Sequence, residues 1–146
     1  MNMESAQSGL PGLVAYFESL TAESVQDIGR MYAADAFFKD PFNEVRGIDA
    51  LRAIFQHMYT QVDQPRFIVT TQVGKEDEAF ITWDFRFTMK RFSKAEQCIR
   101  GATHLRFDSA GLVSYHRDYW DAAEELYEKL PVLGSLMRWL RHSARS

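Results

Sequence analysis

The chain carries one cysteine, Cys98, in 146 residues. A lone thiol cannot close an internal disulfide, and no second thiol stands at metal-ligand spacing from it. A reducing cytoplasm is therefore the expected compartment. Long apolar runs are also missing. No window approaches the ~18 apolar residues of a spanning helix, so a membrane is not expected as a partner. Residues 1–9 lack the apolar centre of a secretory signal and read as a flexible N-terminus. Excess positive charge is absent too. With 17 basic and 20 acidic residues, the net charge of −3 excludes a general electrostatic footprint for nucleic acid. No Gly-rich phosphate loop, nucleophile elbow or HExxH pair occurs, and no metal-ligand set stands out. Neither a metal nor another cofactor is expected.

Aromatic rings are plentiful, at 14% of residues, against an ordinary 46% hydrophobic and 25% charged background. That composition fits one soluble-type domain in which rings line a cavity or an interface.

Periodicity divides the chain. Leu13, Val14, Phe17 and Leu20 follow helical spacing over 10–20. Thr21 and Ser24 offer capping oxygens for a second helix through about Tyr32, with Val25 and Ile28 inward. Phe37 to Pro41 reads as a short extended segment, because Pro41 biases Asp40 away from the helical region. A third helix follows Gly47, over 48–60, with Leu51, Ile54, Phe55 and Met58 inward. After Pro65 the period becomes that of strands, over 67–73, 79–91, 97–108 and 112–120, with a hairpin turn at Asp108–Gly111. Residues 122–146 read as a helical extension with a leucine-rich stripe and a basic end. Three helices, a meander of antiparallel strands and a final helix make an α+β pattern.

Strand alternation sorts the candidate residues. In Ser114–Asp121 it places His116, Asp118 and Trp120 on one face, and Tyr115, Arg117 and Tyr119 on the other. In Phe80–Lys90 it places Ile81, Trp83, Phe85 and Phe87 together, opposite Thr82, Asp84, Arg86 and Thr88. An imidazole and a carboxylate two residues apart beside an indole can handle a proton in front of an aromatic wall. They can equally form a self-satisfied polar pair. Asp40 has two readings as well: a general base among Phe37, Phe38 and Phe42, or a turn-starting carboxylate that caps its own loop.

The order of elements, with Tyr32-Ala33-Ala34-Asp35-Ala36-Phe37-Phe38-Lys39-Asp40-Pro41 followed by Gly47 and a helix, resembles the nuclear transport factor 2-like superfamily over roughly residues 10–121. That superfamily includes SnoaL-like polyketide cyclases, ketosteroid isomerases and limonene-epoxide hydrolases. The resemblance implies a cone-shaped, curved antiparallel sheet packed on the N-terminal helices, and a homodimer through the outer sheet face. Tyr16 and Asp40 look like the pocket tyrosine and the general-base aspartate of the isomerases. The run Thr103-His104-Leu105-Arg106-Phe107 is similar to the isomerases' second motif, with Thr103 where they carry an aspartate. The run His116–Asp121 looks like the last strand of the epoxide hydrolases, with Asp118 at their catalytic aspartate. Their arginine and second aspartate have no inner-face counterpart here, since Asp84 and Arg86 fall outside.

Two functions from different classes follow. One is a cofactor-independent acid/base isomerase or cyclase for a small apolar, oxygen-bearing molecule. Asp40, Asp118, His116 and Tyr16 would carry its chemistry, and Thr103, Trp83, Phe85 and Trp120 would line its pocket. The other is a non-catalytic ligand- or protein-binding module of the same fold.

Overall fold

The computed structural model describes residues 4–90 and 94–125. The expected helical tail beyond Glu125, with its apolar stripe and basic end, lies outside the described residues.

Helix α1 spans Glu4–Glu18 and begins before Leu10, where its apolar spacing starts. Leu10, Leu13, Val14 and Phe17 form its buried stripe. Thr21 and Ser24 then cap each other reciprocally: the Thr21 N–H donates to Ser24 Oγ at 2.8 Å, and the Ser24 N–H to Thr21 Oγ1 at 3.0 Å. The turn they open is a 3-10 helix over Ser24–Arg30, burying Val25 and Ile28. It stops short of Tyr32, which begins strand β1 (Tyr32–Lys39). The extended segment expected near Phe37 is thus the second half of a full strand. Strand β2 (Glu44–Arg46) folds back on it. Gly47, at φ 102°, makes a backbone turn that a side chain would strain. Helix α2 (Ile48–Gln61) follows, with Leu51 and Phe55 in the core.

Four strands complete the sheet: β3 (Val62–Lys75), β4 (Glu78–Met89), β5 (Glu96–Phe107) and β6 (Val113–Tyr119). The spatial order is β2-β1-β6-β5-β4-β3. Strands β3 to β6 form the expected antiparallel meander. The contact of β1 with β6 is parallel, so the curved, open sheet is mixed rather than wholly antiparallel. Register shifts in β3–β4 and β1–β6 mark bulges, which bend a sheet. A short helix, α3 (Ala122–Glu125), follows β6. Its Glu125 is buried against Arg100 of β5, at 3.0 Å.

The alternation in β4 holds. Ala79, Ile81, Trp83 and Phe87 are buried, while Phe80 and Thr82 are exposed. The inner face of the sheet meets α1 and α2 in one apolar cluster that includes Leu13, Phe17, Phe38, Phe55, Ile81 and Leu105. Asp84 and Arg86 lie on the other face, 4.0 Å from each other. Among the described residues, no helix is long and apolar enough to cross a membrane.

Candidate functional site

Strand β6 delivers His116 and Asp118 to the inner face, and β5 sets Thr103 directly opposite Asp118. That register brings the hydroxyl of Thr103 within 2.6 Å of Asp118 Oδ1, to which it donates. His116 Nε2 lies 2.7 Å from the same oxygen. On the far side of the ring, His116 Nδ1 is 2.7 Å from the hydroxyl of Tyr32. The indole Nε1–H of Trp83 donates to Thr103 Oγ1 at 2.8 Å. Four side chains from β1, β4, β5 and β6 thus converge, two directly and two through a neighbour, on one carboxylate oxygen.

Donor counting fixes the hydrogens along this chain. Burial, followed by the charge of Asp118 and the neighbouring Tyr16, holds the Tyr32 phenol well above its ordinary pKa of 10.0. Asp118 as a carboxylate only accepts, so the imidazole hydrogen facing it sits on Nε2. In the neutral ring Nδ1 is then an acceptor, and the Tyr32 hydroxyl, which keeps its proton, donates to it. Tyr32 to His116 to Asp118 runs in one direction, and Trp83 to Thr103 to Asp118 runs in the other. His116 is only 3% exposed. Phe17 (5.9 Å, edge-on), Phe38 (4.8 Å) and Tyr32 (5.8 Å, stacked) enclose its ring.

The Trp83 indole depends on Gly101, its cross-strand neighbour on β5. A Cβ at Gly101 would lie 2.5 Å from the indole ring. The missing side chain leaves room for the ring to lie across β5 and reach Thr103.

Asp118 Oδ2, in contrast to Oδ1, has no hydrogen-bond partner among the described residues, and the side chain retains 19% exposure. Asp118 borders a cavity of about 450 Å³ between the sheet and α2. Phe38, Phe55, Phe67, Trp83, Phe85 and Trp120 supply much of the wall, and Asp40 also reaches the lining. Phe85 stacks on Phe67 at 4.5 Å, and Trp120 meets Phe42 edge-on at 5.5 Å. Ile54 and Met58 of α2, expected to point inward, line this cavity. A smaller space of about 20 Å³ lies against Thr103, His116 and Asp118.

The structure therefore brings together Asp118, His116, Thr103, Trp83, Phe85 and Trp120. Two expected residues stand differently. Asp40 lines the cavity, but its Oδ1 accepts the backbone N–H groups of Phe42 (2.8 Å) and Asn43 (2.7 Å) and the Asn43 side-chain amide (3.1 Å). This is the capping role of an Asp-Pro turn. Tyr16 is not in the cavity wall. Its hydroxyl donates to the Ser24 carbonyl at 2.7 Å, and burial, ahead of the charge of Asp27, raises its pKa to about 12. The donor tyrosine of the site is instead Tyr32, which the sequence reading assigned to the end of a helix. No group of three or more His, Cys, Asp or Glu residues able to hold a metal occurs among the described residues.

The curved, open α+β sheet on its N-terminal helices is the fold of solved nuclear transport factor 2-like proteins. Within that class, the family of SnoaL-like domains matches residues 13–116, and the chain belongs to it. Among curated proteins, none matches this sequence. Three solved structures illustrate the fold. A hypothetical protein with a ketosteroid isomerase-like fold from Catenulispora acidiphila, solved with trimethylamine, is 17% identical, with a TM-score of 0.71 over 82% of this chain and 92% of that one. A candidate SnoaL-like polyketide cyclase from Jannaschia is 10% identical, with a TM-score of 0.71 over 84% and 89%. An LEH-like epoxide hydrolase from M. tuberculosis is 11% identical, with a TM-score of 0.66 over 84% and 87%. At these identities the likeness concerns the fold alone.

Proposed function

We propose that this protein binds a small apolar, oxygen-bearing molecule in the aromatic cavity and moves a proton through Asp118, as a cofactor-independent isomerase or cyclase would. One observation carries the reading: Asp118, which lines the cavity, has Oδ1 held by His116 and Thr103 and Oδ2 without a hydrogen-bond partner among the described residues. A carboxylate oriented on one oxygen and open on the other is arranged to accept a proton from a bound carbon acid. The cavity volume of about 450 Å³ suits a compact ligand. In the rival reading, a binding module without chemistry, Asp118 serves only to satisfy His116 and Thr103.

A thermal-shift screen of ketones, epoxides and fatty acids, followed by proton exchange in D2O, separates the two. The enzyme reading expects the best-stabilising ketone to take up deuterium at its α-carbon faster with the protein present. Stabilisation without exchange supports the module. Absence of any stabilising compound counts against a small-molecule function of either kind.

The outer sheet face is our proposed homodimer surface. Phe80 and Tyr119 are 49% and 47% exposed there, and the rings of Phe37, Tyr115, His104 and Phe80 follow one another across four strands, stacked in the two outer pairs and edge-on between Tyr115 and His104. Phe80→Glu is expected to shift the protein to monomer in light scattering. An unchanged mass would exclude this face.

A further inference from the structure

We infer that the aromatic cavity selects a cationic ligand, a tertiary or quaternary ammonium group, over a neutral molecule of the same shape. This goes beyond the proposed function, narrowing its oxygen-bearing ligand to one that also carries an ammonium group, and rests on its reading of the cavity as a small-molecule site.

The argument is one of charge and of hydrogen-bond capacity. Six phenylalanines and two tryptophans contribute to the cavity lining. The charged residues in the lining are Asp40 and Asp118, both negative, and no lysine, arginine or histidine joins them. A neighbouring opening that shares Asp40, Asp118 and Trp120 is also lined by Lys39 and Arg117, and both of these cations are engaged elsewhere. Lys39 lies 3.8 Å from Glu44, and the Arg117 guanidinium sits over the Tyr119 ring, 4.6 Å from its centroid. The imidazole of His116 has its two nitrogens committed to Tyr32 and Asp118. Two carboxylates on a largely aromatic wall that itself carries no cation favour a positive occupant. Aromatic faces favour the same occupant, because the negative face of a ring attracts a cation.

The chemistry of the cation follows from what it can bond. An inorganic divalent ion needs several oxygen ligands, and no cluster of three acidic, His or Cys ligands occurs among the described residues. A primary ammonium has three N–H donors to satisfy. Asp40 Oδ1 already accepts three donors, and its Oδ2 lies 3.3 Å from the Asn43 amide. Asp118 Oδ1 accepts two more. Asp118 Oδ2 is the carboxylate oxygen left open. One acceptor within a wall of rings matches an ammonium with one N–H or none, its alkyl groups packed on Phe and Trp faces. Trp120 and Phe42, perpendicular at 5.5 Å beside Asp40, form a corner of the same kind.

The test compares choline with 3,3-dimethylbutan-1-ol, which replaces the ammonium nitrogen by carbon. Binding to the full chain is followed by titration of the tryptophan indole N–H resonances. Choline is expected to bind at least about tenfold more tightly, as one cation–π and charge contribution of modest size provides. Asp118→Asn should bring the ratio to below about threefold, since Asn can still accept from Thr103 and His116 while removing the charge. Trp120→Leu, outside the hydrogen-bonded chain, should also weaken choline more than the alcohol. If the alcohol binds as tightly as choline, the cation inference fails and the small-molecule reading stands. It also fails if choline binding is unmoved by both variants, or if ketones bind and choline does not. If no compound of any class binds, the small-molecule reading falls with it.

Discussion

Asp40 and Asp118 border one cavity, yet the fold treats them differently. Asp40 is held by its own loop: its three Oδ1 donors come from Phe42 and Asn43, two and three residues away. Asp118 is held by side chains from distant strands, Thr103 and His116, and through them by Trp83 and Tyr32. The first arrangement saturates one oxygen and stiffens a turn. The second orients one oxygen and leaves the other without a partner on a side chain that lines the cavity. A carboxylate secured by local backbone is part of the scaffold. A carboxylate secured by a network of long-range side chains can be aimed.

Substitutions that attack each arrangement sharpen this contrast. His116→Leu should have the largest effect on stability, because it strips Tyr32 of its acceptor and Asp118 of a donor in a buried place. A loss of about 3–4 kcal/mol in urea unfolding is expected. Gly101→Ala comes next. Its Cβ would approach three atoms of the Trp83 ring at 2.5, 2.6 and 3.0 Å, forcing the indole off Thr103. The expected cost is about 3 kcal/mol, accompanied by a change in tryptophan fluorescence.

Tyr32→Phe should cost about 1–2 kcal/mol at neutral pH by removing the donor to Nδ1. It should also change the alkaline limb of the stability curve. A phenol whose pKa is raised by folding contributes stability that is complete below pH 10, the ordinary value, and is lost as pH climbs toward the raised one. The Tyr32→Phe protein should therefore lose stability less steeply above pH 10. Some alkaline loss should persist, because Tyr16 is raised to about 12 as well. Asp40→Ala should have the smallest effect, about 1 kcal/mol, the loss of a loop cap. A much larger loss for Asp40→Ala than for His116→Leu would reverse the assignment of scaffold and site.

Much of this contrast was legible before the structure. The two-residue period put His116 and Asp118 on one face, and Trp83 with Phe85 on another strand's inner face, because side-chain alternation in a strand is a local property. The turn-capping alternative for Asp40 was legible for the same reason, since Asp-Pro chemistry is contained within four residues. Tyr32 was not. Its neighbours Ala33-Ala34-Asp35-Ala36 carry no strand signal, and β1 exists because β2 and β6 pair with it. Its bond to His116 spans 84 residues and has no local signature. Tyr16 entered the candidate set through the resemblance to the isomerases. Helical period locates it beside the buried Phe17 but does not reveal that the Ser24 carbonyl lies within reach. The parallel contact of β1 with β6, likewise, arises from topology rather than from pattern.

The most direct test of Asp118 as the proton acceptor is deuterium exchange into the α-carbon of the best-stabilising ketone, compared across the original chain, Asp118→Asn and Asp40→Asn. Asp118→Asn should slow exchange about 100- to 10,000-fold, and Asp40→Asn by less than about tenfold. Equal rates in all three proteins, or a greater loss in Asp40→Asn, would contradict the account.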